Sequence, residues 1–549
     1  MIETEKSYKQ LRWYLAVVLA IVLPLFFKSG YLFLTDFYFG PNMPINFFSN
    51  SFVTVFLIKL FSLFYFYDVG QKIFISVALL IILLGGKKLS ENFVNNKWLI
   101  FLSSLFFLFN PFVYDRIMYG QVGIVIALGF LCWALGYLLE YFKKKQQKQI
   151  YLTGILAGFM IQFSPHFIFF FILAYFIFIV ILLLNKERAG KVLKNSLIIF
   201  ALIIVLNTNY LAGLFMESSN TLNFINQGIQ KQDLVIFQTS GKTGIGALGN
   251  VVMMSGFWGK DRFRYVDLTQ QKENWGRSFL FLLPLIIWGV VSSFKREAYR
   301  FLTLGLLILF VIAAILAVGI RLPISSDITY WLFDNVPFYK GLRESQKWVS
   351  LVVIVYGIFL ALGLERLFSK KIIEKNNVLY LIILGGIIMM QAPLLLFGFG
   401  GQIKPINYPK DWTEINDYIA GNQELTTKNQ HLACKDTILF LPWHMYMSFN
   451  WIGHVVANPA SAFFSCPVIQ GTNLEWGGIY DNSTEAIGQK VEAWLHDKKD
   501  INSLRSKNFN IKYIILAKEV DWQDYAWLDK ISGIKVEKET DNLKLYTIN

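Results

Sequence analysis

The sequence predicts a polytopic α-helical membrane bundle of about 11 transmembrane helices, followed by a C-terminal extracytoplasmic α/β domain. Three observations predict it. Of 549 residues, 55% are hydrophobic and only 16% are charged, well below the roughly one-quarter charged of soluble domains. Apolar runs approaching the ~20 helical residues that cross a bilayer recur from the N-terminus onward. Charge is also unevenly placed: residues 1–399 hold 36 Lys and Arg against 19 Asp and Glu, whereas the remainder holds 15 against 18. A net charge of +14 could suggest nucleic acid, but the cations lie in short loops between apolar runs, which is a membrane-topology signal. A nucleic-acid partner is excluded on that ground.

The first run, Leu11–Phe27, follows Lys6, Lys9 and Arg12 and so imitates a signal peptide. No small-residue cleavage site follows it, so it reads as a retained helix. The later runs are Ile73–Leu84, Trp98–Phe109, Val122–Phe142, Tyr151–Phe163, Phe167–Leu184, Leu197–Leu214, Phe279–Phe294, Phe301–Val318, Val349–Leu367 and Val378–Phe397. Basic connectors at Lys87/Lys88/Lys97, Lys143/Lys144/Lys145/Lys148, Lys186/Arg188/Lys191/Lys194, Lys295/Arg296/Arg300 and Arg366/Lys370/Lys371/Lys375 fall on one side. That side is expected to be the cytoplasm and to hold the N-terminus. Phe47 to Phe66 is not counted, because counting it would invert every later loop; with Lys59 in mid-run it reads as an interfacial or re-entrant helix. The outer face then receives residues 28–71, 215–278 and 319–347 and the tail. Cytoplasmic loops are short, leaving no obvious seat for cytosolic ATP or a nucleotide-sugar.

Gly398, Gly400 and Gly401, then Pro405 and Pro409, mark a linker, dividing a 1–398 membrane domain from a 399–549 tail. The tail alternates a strand at Thr437–Leu441, an amphipathic helix at Thr484–Leu495, and strands at Lys512–Leu516 and Leu543–Ile548, which predicts an α/β domain. Three cysteines are too few for a disulfide scaffold. Cys132 lies in an apolar run as a packing residue, while Cys434 and Cys466 fit either a disulfide or two buried thiols.

Two glycine motifs are set aside. Gly241-Lys242-Thr243 imitates the end of a P-loop but has Ile236 where that motif needs glycine, and Gly244 to Gly249 imitates a dinucleotide fingerprint. Both sit in an outer loop without the strand and helix such motifs require. More informative is Asp36, in Thr35-Asp36-Phe37-Tyr38-Phe39-Gly40-Pro41 after the first helix. A carboxylate among aromatics at a membrane surface is partly desolvated, which raises its proton affinity and suits it to deprotonate a hydroxyl; the plainer reading is a loop-capping aspartate. Asp115 and Arg116 close the cluster Asn110-Pro111-Phe112-Val113-Tyr114-Asp115-Arg116 and read equally as a binding pair or a structural ion pair. His166 follows Pro165 at a corner, where a lone histidine is more often structural. Arg343-Glu344-Ser345-Gln346-Lys347-Trp348 places two cations on the outer side, against the inside bias, where they suit a lipid-borne phosphate.

Together these pieces resemble the GT-C superfamily of membrane glycosyltransferases, which use polyprenyl-phosphate-linked sugars. The Asn110 to Arg116 and Arg343 to Trp348 stretches look more narrowly like the arabinofuranosyltransferase type and related large bacterial membrane proteins. The resemblance implies that Asp36 deprotonates an acceptor hydroxyl while the anomeric carbon loses its phosphate to the lipid. Arg343, Lys347 and Arg116 would hold that phosphate, Glu344 would belong to the same binding stretch, and Asp115 and His166 would orient the acceptor or bind a divalent metal ion. A single acid in the first loop, where the family has a paired motif, puts metal dependence in doubt. The implied partners are a polyprenyl-phosphate-linked sugar, a glycan, lipid or protein acceptor, and membrane lipids, in a bacterial-type cytoplasmic membrane. A lipid-linked glycan flippase is the rival reading, and it calls for charged or broken helices at mid-membrane. A third is a non-catalytic envelope-assembly protein whose Trp443, Trp451 and Trp476 stack on sugar rings.

Overall fold

The computed structural model describes residues 2–63, 67–216, 225, 228–262, 264–269, 278–369, 377–421, 434, 436–473, 475–476, 479–480, 483, 486–498 and 510–548. The expected Lys370, Lys371 and Lys375 connector, part of the 215–278 loop and the start of the Thr484 helix lie outside the described residues. Helices dominate to Met389. They are α1 (Ile2–Phe26), α2 (Phe52–Ser62), α3 (Tyr67–Ser90), α4 (Lys97–Leu108), α5 (Pro111–Tyr119), α6 (Val122–Lys144), α7 (Gln147–Phe163), α8 (Phe167–Leu184), α9 (Ala189–Leu206), α10 (Thr208–Met216), α11 (Lys231–Ile236), α12 (Gly244–Val252), α13 (Phe279–Phe294), α14 (Glu297–Val318), α15 (Pro323–Asn335), α16 (Val349–Ser369) and α17 (Asn377–Met389).

Nine of the eleven expected runs fall on one helix each, Leu197–Leu214 crosses from α9 into α10 and Val378–Phe397 runs past the end of α17, and fewer qualify as full crossings. Among the described residues, six helices are long and apolar enough: Asp68–Ser90, Val122–Lys144, Phe167–Leu184, Ala189–Leu206, Glu297–Arg321 and Ser345–Phe368. Two bent pairs raise the number to eight: α4 with α5, bent by 48°, and Val378–Met389 with Pro393–Gly400, bent by 82°. The first break is encoded by Asn110, which caps α5, and by Pro111, which cannot continue α4. Helix α2, in the segment expected to be interfacial, has 11 residues, or about 16 Å, too short to span.

The bundle closes through small residues. A Cβ on Gly85 of α3 would stand 2.2 Å from the Gly129 carbonyl of α6, so the two backbones touch there, an approach only glycine permits. The basic helix ends gather together, as expected. Lys88 pairs with Glu140 at 2.6 Å, Lys145 with Glu187 at 2.5 Å and Arg296 with Glu365 at 3.1 Å. The tail meets the bundle beside the end of α1, where Tyr31 bridges Ile406.

The tail is a three-layer α/β domain. Its sheet runs β4 (Val468–Ile469), β1 (Thr437–Leu441), β7 (Ile511–Ala517), β9 (Leu543–Ile548), β8 (Ile534–Glu539) in spatial order, with β1 parallel to β4 and β7 and the β9 pairings antiparallel. Strand alternation divides its two cores. Ile438, Phe440, Tyr513 and Ile515 face α18 (Lys410–Gly421) through Trp412, whereas Leu439, Leu441, Ile514 and Leu516 face α19 (Ala486–Asp497) through Val491 and Trp494. A hairpin of β2 (Tyr446–Phe449) and β3 (His454–Ala457) leaves the sheet toward the bundle, and β5 (Glu475–Trp476) pairs with β6 (Ile479–Tyr480) apart from it. Cys434 and Cys466 form a disulfide, with Cα atoms 5.0 Å apart, which closes the alternative the sequence left open.

The first loop threads between the two parts and belongs to both. Phe33 lies in the tail's core with Trp412 and Phe463. The Thr35 carbonyl accepts from Ala457 N–H at 2.9 Å, Phe33 O accepts from His454 Nε2 at 3.0 Å, and Phe39 O accepts from the Tyr408 hydroxyl at 2.9 Å.

Candidate active site

The end of α5 seats Asp36. That helix stops at Gly120, whose φ of 96° is left-handed and favours glycine. A Cβ there would meet the backbone nitrogens of Phe37 and Asp36 at 2.7 and 2.9 Å. The loop therefore packs directly on the helix end, and Asp36 N–H donates to the Tyr119 carbonyl at 2.9 Å.

Two segments then hold the carboxylate, and a third brings a cation near it. Gln121 Nε2 donates to Oδ2 at 3.1 Å, and the Tyr446 hydroxyl, from the tail hairpin, donates to Oδ1 at 2.9 Å. Arg264, from the 215–278 loop, lies 5.4 Å over the Tyr119 ring and donates to its hydroxyl at 3.2 Å. Burial pushes the Asp36 pKa above the ordinary aspartate value. The Gln121 and Tyr446 hydrogen bonds pull against it, as does Arg264, while the Glu344 charge adds to the rise.

Behind Gln121 stands a buried ion triad. Arg116 is fully buried and donates to Gln121 Oε1 and Gln346 Oε1, with Nη1 2.7 Å from Glu344 Oε2. Glu344 Oε1 lies 3.1 Å from Lys347 Nζ. Burial opposes ionisation of Glu344, but Lys347 and Arg116 outweigh it and hold the carboxyl well below its ordinary range. The Arg116 guanidinium also lies 4.4 Å over the Phe257 ring. A chain of contacts thus runs from Asp36 through Gln121 and Arg116 to Glu344 and Lys347.

The remaining expected residues sit around this chain. His166 is depressed to about 3, chiefly by burial and then by the Lys347 charge, so it is neutral. Its Nε2 is 2.8 Å from the Gly341 carbonyl; Nε2 therefore carries the proton and Nδ1 keeps its lone pair. Arg343 is 3.5 Å from Asp233 and 4.5 Å over the Phe237 ring. Asp115 belongs to a second polar cluster: Tyr265 OH donates to it at 3.1 Å, beside Asp267 and Lys260, which are 3.7 Å apart.

The structure thus gathers Asp36, Arg116, Glu344 and Lys347 and places Arg343, His166 and Asp115 in adjoining contacts. It also shows that Arg116 and Lys347 share one carboxylate, Glu344. Among the described side chains, no carboxylate pairs with Arg264. Sequence reasoning missed Tyr446 and Gln121 as partners of Asp36, and Arg264 as the cation whose charge acts on it. A signal for Arg264 was present, because Lys260, Arg262 and Arg264 are cations in a loop expected on the outer side, the same anomaly that drew attention to Arg343. Tyr446 carried none. Among the described residues no three His, Cys, Asp or Glu side chains gather as metal ligands.

Solved structures of GT-C membrane glycosyltransferases are among those this chain is similar to in fold. The mycobacterial arabinofuranosyltransferase AftD superposes on 98% of this chain with a TM-score of 0.58 at 10% identity. The chain spans 41% of that protein's length. The oligosaccharyltransferase AglB of Archaeoglobus fulgidus (TM-score 0.45, 12% identity, 92% of this chain and 65% of that one) and ArnT of Cupriavidus metallidurans (0.42, 10%, 98% and 98%) match less well, and no weight is placed on them. Sequence comparison is silent: no protein-family model and no curated protein matches the chain. At such identities the likeness is one of fold, and the chemistry rests on the residues themselves.

Proposed function

We propose that this protein is a membrane glycosyltransferase that moves a sugar from a polyprenyl-phosphate donor to a cell-envelope acceptor on the outer face. The observation that carries the reading is Asp36: a recessed carboxylate of raised proton affinity, aimed by Gln121 and Tyr446, at the junction of bundle and tail and beside Arg264. Such a group takes the proton from an acceptor hydroxyl. The hydroxyl oxygen forms a bond to the anomeric carbon as the bond from that carbon to the phosphate oxygen breaks, and the electron pair leaves on the lipid phosphate. This leaving group is acidic and needs cations rather than a proton donor. Arg264 supplies charge, because no described carboxylate pairs with it, whereas Arg116 and Lys347 share Glu344 and Arg343 lies beside Asp233. Arg116 is a positioning residue: it holds Gln121, and through it Asp36, while Glu344 and Lys347 brace Arg116 from behind.

One observation favours a second reading. The two broken spans, bent by 48° and 82°, are features that a flippase for lipid-linked glycans also uses. The glycan-binding reading weakens, because Trp443 and Trp451 are taken up by packing and hydrogen bonding inside the tail, and the Trp476 side chain lies outside the described residues.

Protein in nanodiscs, supplied with a panel of radiolabelled polyprenyl-phosphate sugars and acceptors, tests both. Asp36→Asn is expected to lower turnover by about 10² to 10⁴. Equal turnover in both proteins removes Asp36 from the mechanism, and transport of intact labelled lipid without bond cleavage favours the flippase.

A further inference from the structure

A cavity unrelated to Asp36 opens where α1 ends, on the tail side of the bundle. Its volume is about 500 Å³, and its lining includes Phe26, Lys28, Ser29, Asp68, Lys72 and Asn407. Lys72 is fully buried. Its ammonium donates to the Lys28 carbonyl at 2.7 Å and to Asp68 Oδ2 at 2.9 Å, leaving one of its three N–H bonds for a ligand. Asp68 also accepts from Gly30 N–H at 2.9 Å, so its charge is committed to the fold. The Lys28 side chain is exposed at the rim. Two ammonium groups thus face one carboxylate, and the lining carries a net positive charge beside the hydroxyl of Ser29 and the amide of Asn407.

Below the cavity, α1 presents one continuous apolar stripe. Leu15, Leu19, Leu23, Phe26 and Phe27 are all exposed, whereas Tyr14, Val18, Ile21, Val22 and Leu25 face the core. From Leu15 to Phe27 the stripe is about 18 Å long at 1.5 Å per residue, slightly more than half the ~30 Å thickness of a hydrocarbon layer. A cationic recess at the membrane boundary, continuous with an apolar track as long as one leaflet, matches the two halves of a phospholipid.

We propose that this cavity binds the phosphate of an anionic glycerophospholipid in the tail-side leaflet, with an acyl chain along the α1 stripe. The site is independent of the glycosyl transfer proposed above. Phosphatidylglycerol and polyprenyl phosphate share the phosphate but differ in their chains, and the experiment separates them. Full-length protein in mild detergent is incubated with phosphatidylglycerol, and the bound lipid is read by native mass spectrometry. Wild type is expected to retain one phosphatidylglycerol. Lys28→Glu, at an exposed side chain whose carbonyl alone serves the fold, is expected to reduce occupancy at least fivefold. Ser29→Trp, which fills the cavity without altering charge, is expected to do the same. Lys242→Glu, which reverses an exposed cation elsewhere, is expected to leave occupancy unchanged. The proposal is overturned by wild-type occupancy in both Lys28→Glu and Ser29→Trp, or by one-for-one displacement with equimolar polyprenyl phosphate, which would make the cavity a carrier-lipid site.

Discussion

Replacing Glu344 by Gln removes the only negative charge in the triad and leaves Arg116 and Lys347 buried together. The two contacts, at 2.7 and 3.1 Å, are worth about 5–6 kcal/mol each at an effective dielectric of about 20. Against that gain stands the cost of taking a carboxylate out of water, several kcal/mol per ion. Losing one partner of such a buried group costs about 3–5 kcal/mol, because its mates stay uncompensated. Gln121 and Gln346 still accept from Arg116, so the damage is electrostatic rather than geometric. Unfolding in mixed micelles by rising SDS mole fraction, followed by tryptophan fluorescence, measures it. Glu344→Gln with Lys347→Met should recover part of the loss, a coupling of about 1–3 kcal/mol. A loss below about 1 kcal/mol for the single variant would refute the reasoning, since it would show that these charges are hydrated rather than buried.

Two further outcomes follow from the same electrostatics. Tyr446→Phe deletes one hydrogen bond to the ionised Asp36 and so raises its proton affinity further; the acid limb of the pH-rate profile should move to higher pH, where a purely structural role would lower the rate at every pH alike. In the tail, His444 lies between Glu475 at 2.8 Å and Asp521 at 3.1 Å, and the Asp521 and Glu475 hydrogen bonds raise its pKa from 6.5 to about 9. Its raised value means that the charged clamp stabilises the tail fully below about pH 6.5 and is lost as pH rises through about 9. Thermal unfolding of wild type should weaken over that window, while His444→Gln should be flat across it.

Much of the fold was legible because lipid and strand periodicity leave plain marks. The β1 and β9 boundaries match the expected strands residue for residue, since each is a short β-branched or aromatic run between turn residues. Span counting is less secure, because an apolar run does not disclose where Asn110 and Pro111 will bend it. The outer strand β8 escaped notice: Lys535, Glu537 and Lys538 interrupt it, as charges often do on an exposed sheet edge. The two cysteines could be paired only once folding had placed their backbones within bonding reach. At the site, Asp36 was conspicuous as a lone acid among aromatics, Lys347 with Arg343 as a cation expected outside, and Arg116 as half of an adjacent Asp115–Arg116 pair; of these, Lys347 and Arg116 come together. That the last two neutralise one carboxylate is a fact of three dimensions, invisible when 228 residues separate Arg116 from Glu344. The partner from the tail hairpin was further still, 410 residues from Asp36.

That separation has a temporal side. Residues around Asp36 leave the ribosome early, yet their partners at His454 and Phe463 arrive 421 residues later. At roughly 5–20 residues per second, the young loop waits about 20–80 s for them. Until the hairpin docks, Phe33 has no core to enter and the carboxylate lacks its tyrosine. A chain stalled before the hairpin would reach the bilayer with an unfinished centre, so assembly itself defers reactivity until β2 and β3 have been made and docked.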